Sequence, residues 1–268
     1  MPNTRGLLAL SKTAFKNYTA YRAELLVGSV TVFVSVTISV LFWAAVYGWD
    51  YQRIIAGFTL AQIVTYSALS LFIARIADTG IEYEMEELVK TGNLLTWLVK
   101  PFTYLQQIFF GGIGYSIFST LTRVVPAFIL SVVLYKIFFP SFYTFLFFIV
   151  SLAFSYLTVF LLSFMFGLYA FWSRGSIFAI RRVRQTATNL LSGSVIPLAF
   201  FPAWFVSAIS FLPFLSVYHI PLSVYLEKIS GPEIFFAFGQ QIIWIIILLG
   251  LSKFLWKRAT KKFEALGG

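Results

Sequence analysis

The sequence contains no cysteine and a single histidine, His219. Without cysteine there is no disulfide framework, no thiolate nucleophile and no Cys-based zinc site. One histidine also excludes a His-based zinc cluster or an HExxH helix. Charge is scarce: Asp, Glu, Lys and Arg make up 11% of the 268 residues, against about 25% in ordinary soluble domains. No GxxxxGK[ST] motif occurs, so the chain cannot cradle ATP phosphates by itself. Glu86 and Glu87 are adjacent, as in some intramembrane proteases, but the histidines such chemistry needs are missing. What is present is apolar: 59% hydrophobic residues, 32 Phe, 14 Tyr and 7 Trp, with a mean hydropathy of +0.86. This composition excludes a soluble enzyme, a disordered tail and a nucleic-acid binder. The formal charge of +10 then marks one side of a membrane rather than a nucleic-acid surface.

A helix needs about 20 apolar residues to cross the roughly 30 Å hydrocarbon layer. That ruler gives six spans in an all-α membrane protein. They are Leu25–Tyr47, Ile54–Ile76, Gly112–Tyr135 within the longer apolar stretch from Phe102, Phe142–Trp172, Gln185–Phe201 and Ile234–Leu255. The fifth is short and interrupted by Pro197 and Pro202. Span two carries Thr59, Gln62, Thr65, Ser67 and Ser70, a polar side expected to face protein rather than lipid. Sixteen Lys and Arg fall before span one, between spans two and three, between spans four and five and after span six; Arg53, Lys136 and Lys228 fall on the other side. The asymmetry places both termini in the cytoplasm. The N-terminus carries Lys12, Lys16 and Arg22 where a signal peptide would be apolar, and is expected to be retained. Leu7, Leu8, Phe15, Tyr18 and Tyr21 recur there at near-helical spacing, reading as an interfacial helix over residues 1–24, or as a plain extension of span one.

Five of the ten acidic residues gather between Asp78 and Pro101. Thr79 with Glu82 fits a capping box, Glu86 and Lys90 form an i,i+4 pair, and Gly92 suits a stop, predicting a helix over Gly80–Thr91. A second turn is expected over Leu94–Val99, ended by Pro101. A charged helix there is either a docking surface for another protein or a solvated loop element. After span five, Pro202 and Pro213 bracket an apolar piece too short to cross, either a re-entrant half-helix or a surface helix in the outer headgroups. Arg123, three residues before a helix-loosening Pro126, is the one charge well inside a predicted span; it reads as an anchor snorkelling to the inner headgroups or as part of a transport path. The Phe-rich span four, including Phe142, Phe145, Phe148, Phe160, Phe164 and Phe171, reads as lipid-facing and packing surface, or as cargo contact.

In order and spacing, three stretches resemble the type-2 ABC exporter permease family, in its bacterial branch of compact six-span subunits. They are the N-terminal helix, IEYEMEELVKTGNLLTWLVKP, and AFWSRGSIFAIRRVRQTATNLLSGSVIPLAFFPAWF leading into LPFLSVYHIPLSVYLEK; the tail KFLWKRATKKFEALGG adds to them. The resemblance covers essentially the whole chain as one permease domain, 1–268. It implies a multi-pass protein of the bacterial inner membrane that pairs with a second permease, identical or homologous, and with two cytoplasmic ATPase subunits. Those subunits would hold ATP and magnesium; this chain would hold no cofactor. It further implies a coupling region at 79–100, with Glu82, Tyr83, Glu84, Met85, Glu86, Glu87 and Leu88 as the ATPase contact. A re-entrant cap is implied at 202–213, with a path lined by spans one, two and five. Gln62, Thr65, Arg123, Pro202, Phe205 and Pro213 are the pathway or gate candidates. A secondary transporter would carry more mid-membrane charge or an internal repeat; a non-conducting assembly subunit is the other alternative.

Overall fold

The computed structural model describes residues 4–18, 22–92, 97, 102–172 and 176–265. The expected turn at Leu94–Val99 lies outside them apart from Trp97. Its long helices are α2 (Arg22–Tyr47), α3 (Leu60–Ile76), α5 (Tyr104–Ser119), α6 (Val125–Leu134), α7 (Phe142–Gly167) and α11 (Pro232–Ala265). Among the described residues, five stretches are long and apolar enough to cross a membrane: Val27–Tyr47, Leu60–Thr91, Tyr104–Leu134, Phe142–Phe171 and Pro232–Lys262. Span two starts at Leu60 rather than at Ile54. Ile54–Ile55 (β1) pair antiparallel with Phe58–Thr59 (β2) around Ala56 and Gly57, both at positive φ, and Thr59 closes a capping box with Gln62. Span three is continuous from Tyr104 to Leu134, but its ladder widens into a π-helical turn, Thr120–Val124, just before Pro126, which has no N–H to donate.

The expected fifth span, Gln185–Phe201, is not one helix. Helix α8 (Ile177–Leu191) ends where Gly193 takes φ 76°, and Pro197 and Pro202 confine the chain between them to a 3₁₀ turn at Leu198–Phe200. The piece after Pro202 is also shorter than expected: α9 (Ala203–Ile209) is followed by a 3₁₀ turn at Pro213–Ser216 and by α10 (His219–Tyr225). This broken pair bends by 89° and is the sixth crossing candidate by length and composition.

Broken backbone at membrane depth must find its hydrogen bonds within the protein. The Tyr66 hydroxyl donates to the Gly193 carbonyl at 2.6 Å, and Ser70 Oγ to the Ser194 carbonyl at 2.6 Å. Ser155 Oγ donates to the Val217 carbonyl at 2.6 Å, while Gln241 Nε2 donates to the carbonyls of Ser216 (2.9 Å) and Ser151 (3.2 Å). Gln240 Nε2 reaches the Ser210 carbonyl at 3.0 Å. The polar side of span two thus faces protein, and it is what makes the interruption of the fifth crossing tolerable. Elsewhere, hydroxyls such as Thr31, Ser35 and Ser131 bond the carbonyl one turn back on their own helices.

Two apolar cores result. One joins α2, α3, α6 and α10, through Val36, Tyr47, Ile63, Tyr66, Ala127 and Leu222. The other lies toward the end of the bundle where Lys and Arg gather, here called the basic end. It joins α4 (Ile81–Thr91), α5, α7 and α11 through Met85, Tyr104, Phe160, Phe164 and Leu248. There Tyr104 stacks on Trp256 with ring centroids 4.7 Å apart, and Phe164 and Phe171 meet Trp256 at 5.9 and 6.0 Å; pairs of this kind contribute about 0.5–1.5 kcal/mol each beyond area burial. Phe142 and Phe145 of span four are exposed, while Phe148, Phe160, Phe164 and Phe171 are core residues.

Helix α1 (Thr4–Tyr18) lies along α5. Ser11 Oγ donates to the Phe110 carbonyl, Phe15 meets Phe118 edge-on, and Gly114 lets the two backbones approach: an added Cβ would overlap the Ser11 carbonyl oxygen.

Candidate functional site

Seventeen residues of α3 rise about 26 Å, close to the hydrocarbon thickness, so α4 lies largely beyond that layer at the basic end. Its start is not the expected Thr79–Glu82 capping box. Gly80 is the N-cap, in the left-handed region, and makes no side-chain cap bond. The stop is as expected: Gly92 closes the helix at φ 69°. Glu86 and Lys90 pair at 2.9 Å.

Glu82 is instead 0% exposed and turned into the protein, where its Oε1 accepts from Arg184 Nε of α8 at 2.5 Å. In the link before the helix, Asp78 pairs with Arg181, whose guanidinium also lies 4.6 Å from the Tyr83 ring centroid. Met85 and Leu88 are buried on the same side, Met85 against Gly167 of α7. Of the seven residues assigned to an external contact, Glu82, Met85 and Leu88 therefore face inward. Tyr83, Glu84 and Glu87 are exposed, and Glu86 is partly so. Glu84 and Glu87 border a cleft of about 580 Å³ between α1, α4 and α5. The protein around Glu84, and secondarily the like charge of Glu87, push its carboxyl pKa above the usual carboxylate range.

The pathway candidates are dispersed. Gln62 belongs to the capping box of α3 and accepts from Lys228 Nζ at 3.1 Å, at the end opposite the basic one. Thr65 is fully buried, donating to the Ala61 carbonyl and accepting from the Phe138 amide, each at 2.7 Å. Arg123 lies in the π-helical turn, its Nη1 3.4 Å from the Tyr115 hydroxyl. Its stem packs on Gly28 of α2, where a Cβ would come within 2.8 Å of Nε. Gly28 is about 28 Å of helical rise from Tyr47, at the far end of α2. On the span itself, Ser116 Oγ donates to the Ile76 carbonyl at the basic end of α3 at 2.8 Å, and Arg123 lies seven residues beyond it, about 10 Å of helical rise farther into the layer. Pro202 caps α9, Phe205 stacks on Phe201 at 5.1 Å, and Pro213 is buried at the start of the second 3₁₀ turn. A cavity of about 450 Å³ opens beside α9, bordered by Leu198, Phe201, Val206 and His219.

Sequence reasoning missed Asp78, Arg181 and Arg184 as partners of the acidic helix, and Tyr66, Ser70 and Gln241 as supports of the broken crossing. A signal for part of the first group was there: Arg181 and Arg184 are three apart and share one face of α8, whereas Asp78 precedes the helix start and shares no helical face with Glu82. Among the described residues no group of three His, Asp or Glu could hold a metal. In comparison with known proteins, a family model described as ABC-2 family transporter protein matches residues 19–267. No curated protein matches the chain.

Proposed function

The chain belongs to the ABC-2 family of transporter proteins; from that premise we propose that this permease subunit forms an exporter pathway with a second permease, identical or homologous. Two separate ATPase subunits bind ATP and magnesium, and they dock on α4 at the cytoplasmic face of a bacterial inner membrane. The observation that carries the reading is the two-sided build of α4. One side is fastened to α7 and α8 by Met85, Leu88 and the Glu82–Arg184 pair; the other presents Tyr83, Glu84 and Glu87 outward. A helix fastened this way moves as a unit with what it is tied to, whereas a solvated loop helix would not.

ATP-driven closure of the ATPases shifts the permease only if the ATPase contacts differ between its two conformations. With α4 held to α8, displacement of α4 is passed to the fifth crossing and to the segment at Gly193–Ser194 that Tyr66 and Ser70 hold. A rigid-body or hinge rearrangement there, with α9 and α10 as a re-entrant cap, opens the outer gate. The positive-inside asymmetry supports cytoplasmic termini, and α1 along α5 adds a second surface beside α4. The test is co-purification of the ATPase subunit with Tyr83→Ala/Glu87→Lys and measurement of its ATP turnover. Loss of both, with unchanged folding of the chain, is expected; unaltered assembly and turnover would remove the docking role.

A further inference from the structure

The cleft between α1, α4 and α5 has a consistent chemistry. Two of its groups are the carboxylates of Glu84 and Glu87. A third comes from α5: Gln107 is 3% exposed, and its Nε2 donates to the Phe102 carbonyl at 2.8 Å and the Trp97 carbonyl at 3.3 Å. Those two donated bonds fix the amide's orientation, leaving Oε1 without a partner among the described residues while the side chain lines the cleft. Thr79, 7% exposed, also lines the cleft, its hydroxyl without a partner among the described residues. No Lys or Arg is among its described lining residues, although the chain as a whole carries twice as many basic as acidic groups. Tyr104 and Tyr115 supply aromatic surface.

Buried acceptors without donors call for a ligand that brings donors. Two carboxylates exclude an anion, and aromatic faces favour a cation. A bare metal ion is a poor match, since hard cations need six or more oxygens at about 2.0–2.6 Å and this space is far larger. At about 580 Å³ it falls within the range of sites that enclose whole small molecules, about 300–1,000 Å³, rather than a single inserted side chain.

We propose that this cleft binds a small organic cation carrying an ammonium or guanidinium group, with Glu84 and Glu87 as counter-charges and Gln107 Oε1 as the acceptor that orients it. The site shares Glu84 and Glu87 with the docking face of α4 but is lined by this chain alone, so it is tested without the ATPase. A bound cation would oppose the upward shift that the surrounding protein and, secondarily, the like charge of Glu87 impose on the Glu84 carboxyl.

The experiment is calorimetric titration of the full chain in zwitterionic lipid nanodiscs, without ATPase, using phenethylammonium and the similarly shaped anion 3-phenylpropanoate. Phenethylammonium is expected to bind and the anion not to. Glu84→Gln/Glu87→Gln should weaken binding about 10–100-fold, the loss of one or two charge-assisted contacts. Gln107→Leu should weaken it less, and Glu233→Gln, an exposed acid at the far end of α11, should leave it unchanged. Circular dichroism and thermal midpoints matching wild type establish that the variants fold. Equal binding of both ions, or undiminished binding by the double Gln variant, overturns the proposal. So does absence of binding to wild type when the same double variant loses the ATPase, since the cation would then be a side chain of the partner.

Discussion

Removing the Glu82 carboxylate charge, by Glu82→Gln, isolates the tie between α4 and α8. Glu82 is fully buried and Arg184 Nε lies 2.5 Å from its Oε1, with the arginine side chain 6% exposed. An exposed pair contributes about 0–1 kcal/mol, but removing one partner of a buried pair leaves an uncompensated charge and costs about 3–5 kcal/mol. One kcal/mol shifts the melting temperature of a chain near this size by about 2–4 °C. Glu82→Gln should therefore lower the thermal midpoint of the detergent-solubilised chain by roughly 6–20 °C, read by intrinsic Trp fluorescence at one fixed scan rate. Replacing both partners, Glu82→Met/Arg184→Met, removes the unpaired charge and should recover most of the loss, because an apolar substitute for a buried pair is often neutral or better. The same double variant, assembled with ATPase, should hydrolyse ATP yet transport poorly, since packing alone holds α4 less firmly in register with α8. A Glu82→Gln midpoint within about 2 °C of wild type would refute the reasoning, as would a Met/Met variant no more stable than the single one.

The remaining predictions concern other parts of the fold. Tyr66→Phe/Ser70→Ala strips the donors from the Gly193 and Ser194 carbonyls; at about 1–3 kcal/mol per abandoned buried acceptor, the thermal midpoint should fall clearly, while Thr31→Val, whose hydroxyl bonds only its own helix, should change it little. Gly114→Ala forces a Cβ into the Ser11 carbonyl and should push α1 away from α5 at a cost of about 1–3 kcal/mol; maleimide labelling of a cysteine placed at Ser11, direct in a Cys-free chain, should become faster. In intact cells a membrane-impermeant thiol reagent should label Lys228→Cys and spare Lys257→Cys, and the reverse pattern would invert the topology.

The legible parts of this protein are those set by short-range rules. Leu25–Tyr47 and Phe142–Trp172 appear as long helices because a run of apolar residues in lipid has no better way to satisfy its backbone. Gly92 stops α4 because a left-handed residue suits that place. The Thr79–Glu82 box failed for a long-range reason: Arg184, 102 residues away in sequence, competes for the same carboxylate with a full charge, where the helix start offers only backbone N–H groups. The fifth crossing was misread for a similar reason. Its prolines and Gly193 signal a break, but whether a break survives inside a bilayer depends on donors supplied from α3, and those are found only when the helices are packed.

By itself the sequence determined the solvent of this chain, its basic face, the long crossings and the helix that concentrates half of its acidic residues, because hydropathy, charge bias and turn chemistry act locally. The tertiary structure alone decided which of those acids turn inward to α8 and which line a cleft. It also decided which hydroxyls and amides hold the interrupted backbone. Each of these choices is a competition for one hydrogen-bond or charge partner among groups distant in sequence, and in a low-dielectric interior the pairing that is satisfied is the one that persists.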